Sequence, residues 1–173
     1  MKAVKQLPFF IAKVYFFIYI IAMKIVVMSD SHGRSANLEK VLMTEKGADM
    51  FLHCGDLCTD SRMYPDVFFV KGNCDWDPDL PMYRVIDCGK IRILMIHGDK
   101  VWDVKRDLAE LAREKNCKIC VFGHIHRYYD NEYRGVRLLN PGSLAYNRDE
   151  NDLGYIVIEI DKEGLYSVKR KVL

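Results

Sequence analysis

Short apolar runs, each followed closely by a polar cluster, recur through residues 24–126 of the chain. Five of these runs have the length of a buried strand and are too short for a typical helix. The five predicted strands are residues 24–28, 50–54, 67–70, 92–96 and 118–122. Aspartate, glycine or histidine follows each run within two residues, so each predicted strand ends next to residues that can carry chemistry.

Two other segments have apolar residues at helical spacing. The first is residues 35–46, where Ser35 is the predicted N-cap and Gly47 the predicted stop. The second is residues 103–116, where Asp103 is the predicted N-cap. Strand, polar loop and helix therefore alternate in this part of the chain, a pattern typical of α/β proteins.

The remaining predicted strands are antiparallel in character. Residues 83–88 and 91–96 flank Gly89-Lys90, an arrangement typical of a β-hairpin. Four further strands are predicted at residues 127–133, 136–140, 153–160 and 165–172. This order predicts an α/β fold in one domain, with two packed mixed β-sheets flanked by helices.

Charge gives no indication of a nucleic-acid partner. The 173 residues include 26 lysines and arginines and 24 aspartates and glutamates, for a formal net charge of +2. The basic residues are spread along the chain and form no patch of the kind that binds nucleic acid. We therefore expect no stable nucleic-acid partner.

Residues 1–22 form an apolar extension that resembles a signal or a membrane anchor. Lys13 interrupts the apolar run, and the uninterrupted part is shorter than the ~20 residues that a membrane-spanning helix requires. No clear cleavage site precedes Met23, which runs directly into the first predicted strand. We interpret Met23 as the natural start of a domain of residues 23–173, with a peripheral anchor as the second interpretation, and expect no membrane partner.

Six cysteines raise the question of disulfides. Cys54, Cys74, Cys117 and Cys120 lie in or beside predicted strands rather than in a loop-rich scaffold, so we expect reduced thiols and a cytoplasmic protein. Cys117 and Cys120 have the spacing of a redox or zinc pair. No second pair is positioned to complete a tetrahedral site, which favours a buried structural role.

The polar clusters are expected to converge, because the carboxyl ends of neighbouring strands in an open α/β sheet meet at one edge. In an extended segment residues i and i+2 point to the same side, so Asp30 and His32 can direct both side chains into one space. His124 and His126 have the same spacing. The candidate metal ligands are Asp30, His32, Asp56, Asn73, His97, His124 and His126.

This set of four imidazoles, two carboxylates and one carboxamide is too large for one structural zinc and suits two ions with mixed ligands. Mn²⁺ or Ni²⁺ is favoured, and Fe, Zn²⁺, Co²⁺ and Mg²⁺ are compatible. Two such ions hold a bridging hydroxide and clamp phosphoryl oxygens, which predicts hydrolysis of a phosphate ester. Two divalent ions less two aspartates and one hydroxide leave a formal +1, which favours a phosphodiester monoanion. Arg34 and Arg127, beside the first and last clusters, are the predicted substrate-binding arginines.

The motifs resemble those of the calcineurin-like metallophosphoesterases. In order, they are Asp30-x-His32, Gly55-Asp56, Gly72-Asn73, His97-Gly98 and Gly123-His124-x-His126. Gly72-Asn73-Cys74-Asp75 and Asn140-Pro141-Gly142-Ser143 are similar to blocks of the small, single-domain bacterial and archaeal phosphodiesterase branch. The resemblance spans residues 23 to about 173 and implies a four-layer αββα sandwich with a binuclear metal centre.

The resemblance also implies a role for each ligand. One metal would be held by Asp30, His32 and His126, and the other by Asn73, His97 and His124. Asp56 would bridge the two metals, and Asn73 would also contact the phosphate. The candidate catalytic residues are Asn73, Asp75 and His97. The expected partner is a small phosphodiester substrate, and assembly as a homo-oligomer stays open.

Two positions depart from the wider family pattern. Many members have a histidine after the Gly-Asn pair, a candidate proton donor, where this chain has Cys74, a poor general acid. Asp75 or a metal-bound water is the expected substitute, and the alternative for Asp75 is a simple turn residue. Asp99 stands where relatives often have a second histidine, and it could orient a ligand.

Other candidate residues have structural interpretations. His53 lies inside an apolar strand and is expected to be a hydrogen-bonded structural residue. Trp76 and Trp102 follow metal clusters and could stack on an aryl or nucleobase group, but core packing is favoured.

The competing function is a non-catalytic scaffold that binds protein partners, as does the retromer scaffold subunit, which has the same fold and an impaired metal centre. All seven ligand positions of this chain carry competent side chains, which favours the enzyme.

Overall fold

The computed structural model describes residues 21–173. These residues form ten strands, two α-helices and a short 3₁₀ helix at Ser61–Met63. The strands are β1 (Ile21–Met28), β2 (Met50–His53), β3 (Val67–Phe69), β4 (Tyr83–Asp87), β5 (Arg92–Ile96), β6 (Ile119–Phe122), β7 (Tyr128–Tyr133), β8 (Val136–Pro141), β9 (Gly154–Asp161) and β10 (Tyr166–Val172). The helices are α1 (Ser35–Thr44) and α2 (Val104–Glu114). Each strand predicted from the sequence is present.

The strands form two mixed sheets of five. The first has the order β10-β9-β1-β2-β3, and the second has the order β4-β5-β6-β8-β7. β1 pairs in parallel with β2, and β5 pairs in parallel with β6, whereas β9, β10, β4 and β7 pair only in antiparallel fashion. The candidate ligands follow parallel strands: β1, β2 and the edge strand β3 in the first sheet, and β5 and β6 in the second.

Alternation along the central strands builds three apolar layers. Ile25 and Val27 of β1 face the second sheet and pack with Ile93 and Met95 of β5 in the core between the sheets. The other face of the first sheet, represented by Val26, packs against α1. The outer face of the second sheet packs against α2. The αββα layering predicted from the sequence is confirmed.

The two helices start differently. Asp103 caps α2 as predicted, because its carboxylate accepts a hydrogen bond from the Arg106 backbone N–H. The prediction that Ser35 caps α1 is wrong. Arg34 is the N-cap, without a side-chain cap, and Ser35 is the first helical residue because the Leu38 N–H already bonds to the Arg34 carbonyl.

The apolar extension predicted at residues 1–22 lies outside the described residues, except that Ile21 begins β1. β1 therefore starts before Met23, the domain start predicted from the sequence. In residues 21–173 no helix is long and apolar enough to cross a membrane.

Candidate metal centre

Loops that follow the strands of both sheets meet at one end of the sandwich. Asp30 follows β1, Asp56 follows β2, His97 follows β5 and His124 follows β6, with Asn73 in the loop after β3. Three of these side chains, Asp30, Asp56 and His97, are buried, although all three are polar. The expected convergence of the clusters is therefore present, and it draws on both sheets.

A first group of ligand atoms comes from Asp30, His32 and His126. The His126 Nε2 atom lies 3.0 Å from Asp30 Oδ1 and 3.2 Å from His32 Nε2. With a carboxylate oxygen of Asp56, these atoms all lie within 4.8 Å of one another. One carboxylate on each side of two imidazoles is a suitable donor set for a divalent transition metal.

A second group comes from Asn73, His97 and His124. The Asn73 Oδ1 atom lies 3.1 Å from His97 Nε2 and 3.0 Å from His124 Nδ1. His97 is fully buried, whereas Asn73 is exposed, so this group opens towards solvent on one side.

Asp56 lies between the two groups. Its Oδ2 atom is 3.6 Å from His32 Nε2 in the first group and 3.5 Å from His97 Nε2 in the second. Its Oδ1 atom accepts a hydrogen bond from the Cys74 backbone N–H at 2.7 Å, which fixes the direction of the carboxylate. Gly72 makes this approach possible, because a Cβ there would overlap the Asp56 carboxylate and backbone nitrogen.

Backbone carbonyls orient two of the imidazoles. His97 Nδ1 lies 2.8 Å from the Cys54 carbonyl and His126 Nδ1 lies 3.0 Å from the Tyr146 carbonyl, so each Nδ1 carries the proton and donates it. When these rings are neutral, the Nε2 lone pair of each ring faces a carboxylate oxygen, which is also a hydrogen-bond acceptor. The Nε2 lone pair of His97 also faces the side-chain carbonyl oxygen of Asn73. Acceptors that face one another across about 3 Å are stable only with a cation between them. The residues present therefore fit divalent metal ions.

Burial and hydrogen bonding act in opposite directions on Asp56. Burial alone raises the pKa of this carboxyl group, but hydrogen bonds from the His97 ring, when that ring is protonated, and from the Cys74 backbone N–H outweigh burial and hold the pKa well below its usual value. Asp56 is thus a carboxylate at neutral pH, ready to bind a cation.

The backbone at the ligand clusters differs from the sequence-based expectation. Asp30, His32, His124 and His126 all have positive φ, between 43° and 69°, so neither pair lies in an extended segment. As a result, His124 and His126 do not share one space: His126 joins the first group and His124 the second. Asp30 and His32 do share one space, in the first group, as predicted. The alternation argument itself is wrong, because it assumes strand geometry beyond the strand end.

Asp75 supports the loops from a buried position beside the two groups. Its Oδ2 atom accepts hydrogen bonds from the backbone N–H groups of Asp56 and Gly72, at 2.9 and 2.8 Å. Its Oδ1 atom accepts a third from the Cys58 N–H at 2.9 Å. The role of proton donor stays a prediction, but this geometry favours a positioning role.

The block Asn140-Pro141-Gly142-Ser143, which the sequence marked only through the family resemblance, lies at the end of β8 and supports the site. The Ser143 hydroxyl donates to the Asp30 carbonyl at 2.7 Å, and the Asn140 amide donates to the Gly123 carbonyl at 2.7 Å. The Tyr146 ring packs against His126 at a centroid distance of 4.5 Å and stacks on His32 at 5.6 Å. The Asn-Pro-Gly-Ser block was the only signal for this support, and nothing in the pattern indicated Tyr146.

The predicted arginines lie at the surface. Arg127 is exposed and lines a shallow cavity with His124 and Arg148, a second arginine that sequence reasoning missed. Arg34 is exposed at the start of α1, and its side chain has no hydrogen bond or ion pair among residues 21–173. Asp99 lies in a groove beside Asn73.

Two structural interpretations have opposite outcomes. His53 is buried and bonded to the Ser31 hydroxyl at 3.0 Å, and burial lowers its pKa to about 4, so its structural role is confirmed. The prediction that Trp76 and Trp102 pack in the core is wrong, since they are 94% and 98% exposed. Both lie in polar loops whose backbone needs contact with water, and this keeps the indole rings at the surface.

All six cysteines have free thiols. Cys117 and Cys120 are buried, whereas Cys74 is exposed and Cys58 is partly buried.

The comparisons with known proteins agree with this geometry. The sequence model of the calcineurin-like phosphoesterase superfamily domain matches residues 23–163. The chain belongs to this superfamily. The probable metallophosphoesterase MJ0623 of Methanocaldococcus jannaschii is 34% identical over 144 residues, which cover 77% of this chain and 74% of that protein.

Solved structures of the superfamily fold are also similar. A conserved protein of Streptococcus pneumoniae, described as a predicted phosphoesterase, has a TM-score of 0.74 and 29% identity over 86% of this chain and 98% of that chain. Vacuolar protein sorting 29 of Cryptosporidium parvum has a TM-score of 0.69 and 21% identity over 87% and 97%, which shows the fold alone. The resemblance inferred from the motifs is confirmed, and superfamily membership supports metal-dependent hydrolysis of phosphate esters as the general activity.

Proposed function

We propose that the chain is a phosphodiesterase with a binuclear metal centre. The observation that carries the proposal is the position of Asp56 Oδ2, between the imidazoles of two ligand groups at 3.5 and 3.6 Å. A single carboxylate oxygen between two donor sets is the arrangement that a pair of ions about 3.5 to 4 Å apart requires.

In this proposal each group holds one ion. Asp30, His32 and His126 would bind the first, and Asn73, His97 and His124 the second, with Asp56 shared. When bound, the ions supply Lewis acidity, which acidifies water and neutralises charge on the phosphoryl oxygens.

Charge balance supports a diester as the substrate. Two divalent ions would contribute four positive charges, and the buried carboxylates of Asp30 and Asp56, together with the hydroxide nucleophile, would remove three of them. The formal +1 matches a phosphodiester monoanion better than a monoester dianion. A monoester would depend on Arg127 or Arg148, and both are exposed to solvent, where a charge pair is weak.

The protein's own residues would then position the substrate. Asn73 is exposed next to the second group, so its amide can donate to a phosphoryl oxygen. His124 lies beside Asn73. Its imidazole is neutral because burial, together with the nearby His97, lowers the His124 pKa. Asp75 and Cys58 line a cleft of about 500 Å³ with Trp76, which is the natural place for a leaving group.

The proposal also covers the identity of the metal, the cellular compartment and the substrate class. Mixed nitrogen and oxygen ligands without an essential thiolate favour Mn²⁺ or Ni²⁺ over structural zinc. Six free thiols suit the reducing cytoplasm. We infer a small phosphodiester substrate and no stable nucleic-acid partner, because the net charge is only +2.

Metal-stripped protein tests the proposal with two substrates, bis-p-nitrophenyl phosphate as the diester and p-nitrophenyl phosphate as the monoester. We expect Mn²⁺ or Ni²⁺ to restore turnover, with the diester preferred, and His124→Ala to lower it at least about 100-fold. Lys162→Ala, in the turn between β9 and β10, is the matched surface control. Turnover that persists without metal, or that is unchanged in His124→Ala, would contradict the proposal.

Similarity to vacuolar protein sorting 29 favours a second candidate function, a scaffold that binds protein partners. The exposed Trp76 and Trp102 provide apolar surface for such binding. A scaffold predicts that metal binds without turnover of either ester, so the same assay separates the two functions.

A further inference from the structure

Two thiols lie beside the candidate metal centre and belong to neither ligand group. Cys58 follows Asp56 by two residues, and Cys74 follows Asn73 directly. Their sulfur atoms and one ring nitrogen of His32 all lie within 4.8 Å of one another. Two sulfurs and one imidazole at this separation match three of the four corners of a tetrahedral site for a thiophilic cation.

The His32 ring faces two directions. Its Nε2 atom lies 3.2 Å from His126 Nε2, in the first ligand group. Its Nδ1 atom lies on the opposite side of the ring, 3.5 Å from the Cys58 sulfur. One imidazole can therefore contribute to the first group through Nε2 and to the dithiol cluster through Nδ1.

Charge and access also favour a cation at this cluster. The Asp75 carboxylate accepts a hydrogen bond from the Cys58 backbone N–H, and the Asp56 carboxylate accepts one from the Cys74 backbone N–H, so negative charge lies beside both residues and favours a cation. Cys74 is exposed and Cys58 lines the cleft with Trp76, whereas the other four cysteines are buried. An ion from solvent can therefore reach the thiols of Cys58 and Cys74, but not the four buried thiols.

We propose that Cys58, Cys74 and His32 form a separate binding site for one thiophilic d¹⁰ cation, such as Zn²⁺ or Cd²⁺, next to the phosphoesterase centre. Binding forms two metal–sulfur bonds and one metal–nitrogen bond and releases three protons to solvent, one from each thiol and one from Nδ1 of the His32 ring, whose Nε2 faces the first ligand group. Water completes the coordination on the open side of the cleft.

Cadmium reports on this site directly, because sulfur-to-cadmium charge transfer absorbs in the ultraviolet and oxygen or nitrogen ligation does not produce that band. The full chain, saturated with Mn²⁺, is titrated with Cd²⁺. We expect a band that reaches its end point at one Cd²⁺ per chain. Cys58→Ser and Cys74→Ser should each remove at least half of the band, and Cys88→Ser, at a buried thiol, should leave it intact.

Circular dichroism and the unfolding temperature of each variant check the fold. We expect Cys74→Ser to perturb the fold less than Cys58→Ser, because Cys74 is exposed. Absence of the band in wild-type protein, or a band in Cys58→Ser and Cys74→Ser that is as strong as in wild-type protein, would overturn the proposal. The readout is independent of turnover: a band without diesterase activity would contradict the proposed function and leave the dithiol site standing.

Discussion

Left-handed backbone is concentrated at the candidate metal centre. Of the eight non-glycine residues with positive φ among residues 21–173, six lie in its loops: Asp30, His32, Asp56, Cys58, His124 and His126. Each such residue costs free energy that the surrounding contacts must offset. The three backbone hydrogen bonds to Asp75 and the Ser143 bond to the Asp30 carbonyl supply such contacts.

Asp75→Asn separates positioning from proton donation. Both Asp75 oxygens are occupied by N–H donors, and an amide would turn its own N–H₂ towards at least one of them. We expect the free energy of unfolding to fall by about 2 kcal/mol, measured by chemical denaturation. Turnover of diesters with good and poor leaving groups should fall by the same factor.

A proton donor would give a different result. Loss of the donor would slow diesters with alkyl leaving groups far more than those with nitrophenyl groups. Asp79→Asn, at an exposed position in the same loop, is the control.

Glu45 is a buried carboxylate at the end of α1, with Lys24 at 2.7 Å and the Tyr155 hydroxyl at 2.7 Å. Burial raises its pKa, but bonds from Lys171, Lys24 and Tyr155 outweigh burial and lower the pKa from 4.5 to about 2. Its contribution to stability is therefore present above the unfolded pKa and is lost as the pH falls through the folded value.

Glu45→Gln should lower the free energy of unfolding by about 2 kcal/mol at neutral pH. The difference between wild type and variant should shrink between about pH 5 and about pH 2, as followed by urea denaturation. The control is Glu39→Gln, at an exposed position of the same helix. A difference that stays constant with pH would show that Glu45 acts through packing alone.

At the scale of elements, the loop after β3 depends on a glycine. Gly72 lies against Asp56, where a Cβ would overlap the carboxylate that both ligand groups share. Gly72→Ala should therefore weaken metal binding at least tenfold by isothermal titration, since a shift of a few tenths of an ångström misplaces a metal ligand.

The matched control is Gly47→Ala, because a Cβ there meets no atom within 4 Å. Equal metal affinity in the two alanine variants would contradict the close packing of the loop after β3 against the loop after β2 at the candidate metal centre.

The positions of the strands could be predicted from the sequence more reliably than the backbone conformation of the residues that follow them. The apolar runs that become β2, β5 and β6 are buried, so hydrophobic pattern alone locates them. The side-chain directions of Asp30 and His126 depend on left-handed φ values that no pattern indicates. The exposure of Trp76 also depends on the path of a loop, which tertiary contacts determine.

At the scale of the whole molecule, the sandwich assembles one centre from both sheets. Asp30 and Asp56 come from the first sheet, and His97 and His124 come from the second. The motif order predicted the members of this centre, because strand ends converge in any α/β sheet. The strand order did not indicate the division into two groups around Asp56, which was implied only by the resemblance to the calcineurin-like metallophosphoesterases.

Residues 23–173 are predicted to contain the phosphoesterase domain. Starting the chain at Met23 removes only two residues of β1, and the register irregularity between Ile21 and Met23 lies at that end. We expect the shortened chain to keep the unfolding temperature within about 2 °C and the diester turnover within about twofold. A larger loss of either would show that residues 1–22 contribute to the domain.

The central claim is that two metal ions, held by two groups around Asp56, catalyse diester hydrolysis. The most direct test is to titrate Mn²⁺ into metal-stripped protein, at a protein concentration above the metal dissociation constants, while diester turnover is measured. Our account predicts no turnover without metal and full turnover at two Mn²⁺ per chain. Full turnover at one Mn²⁺ per chain, or without any, would contradict it.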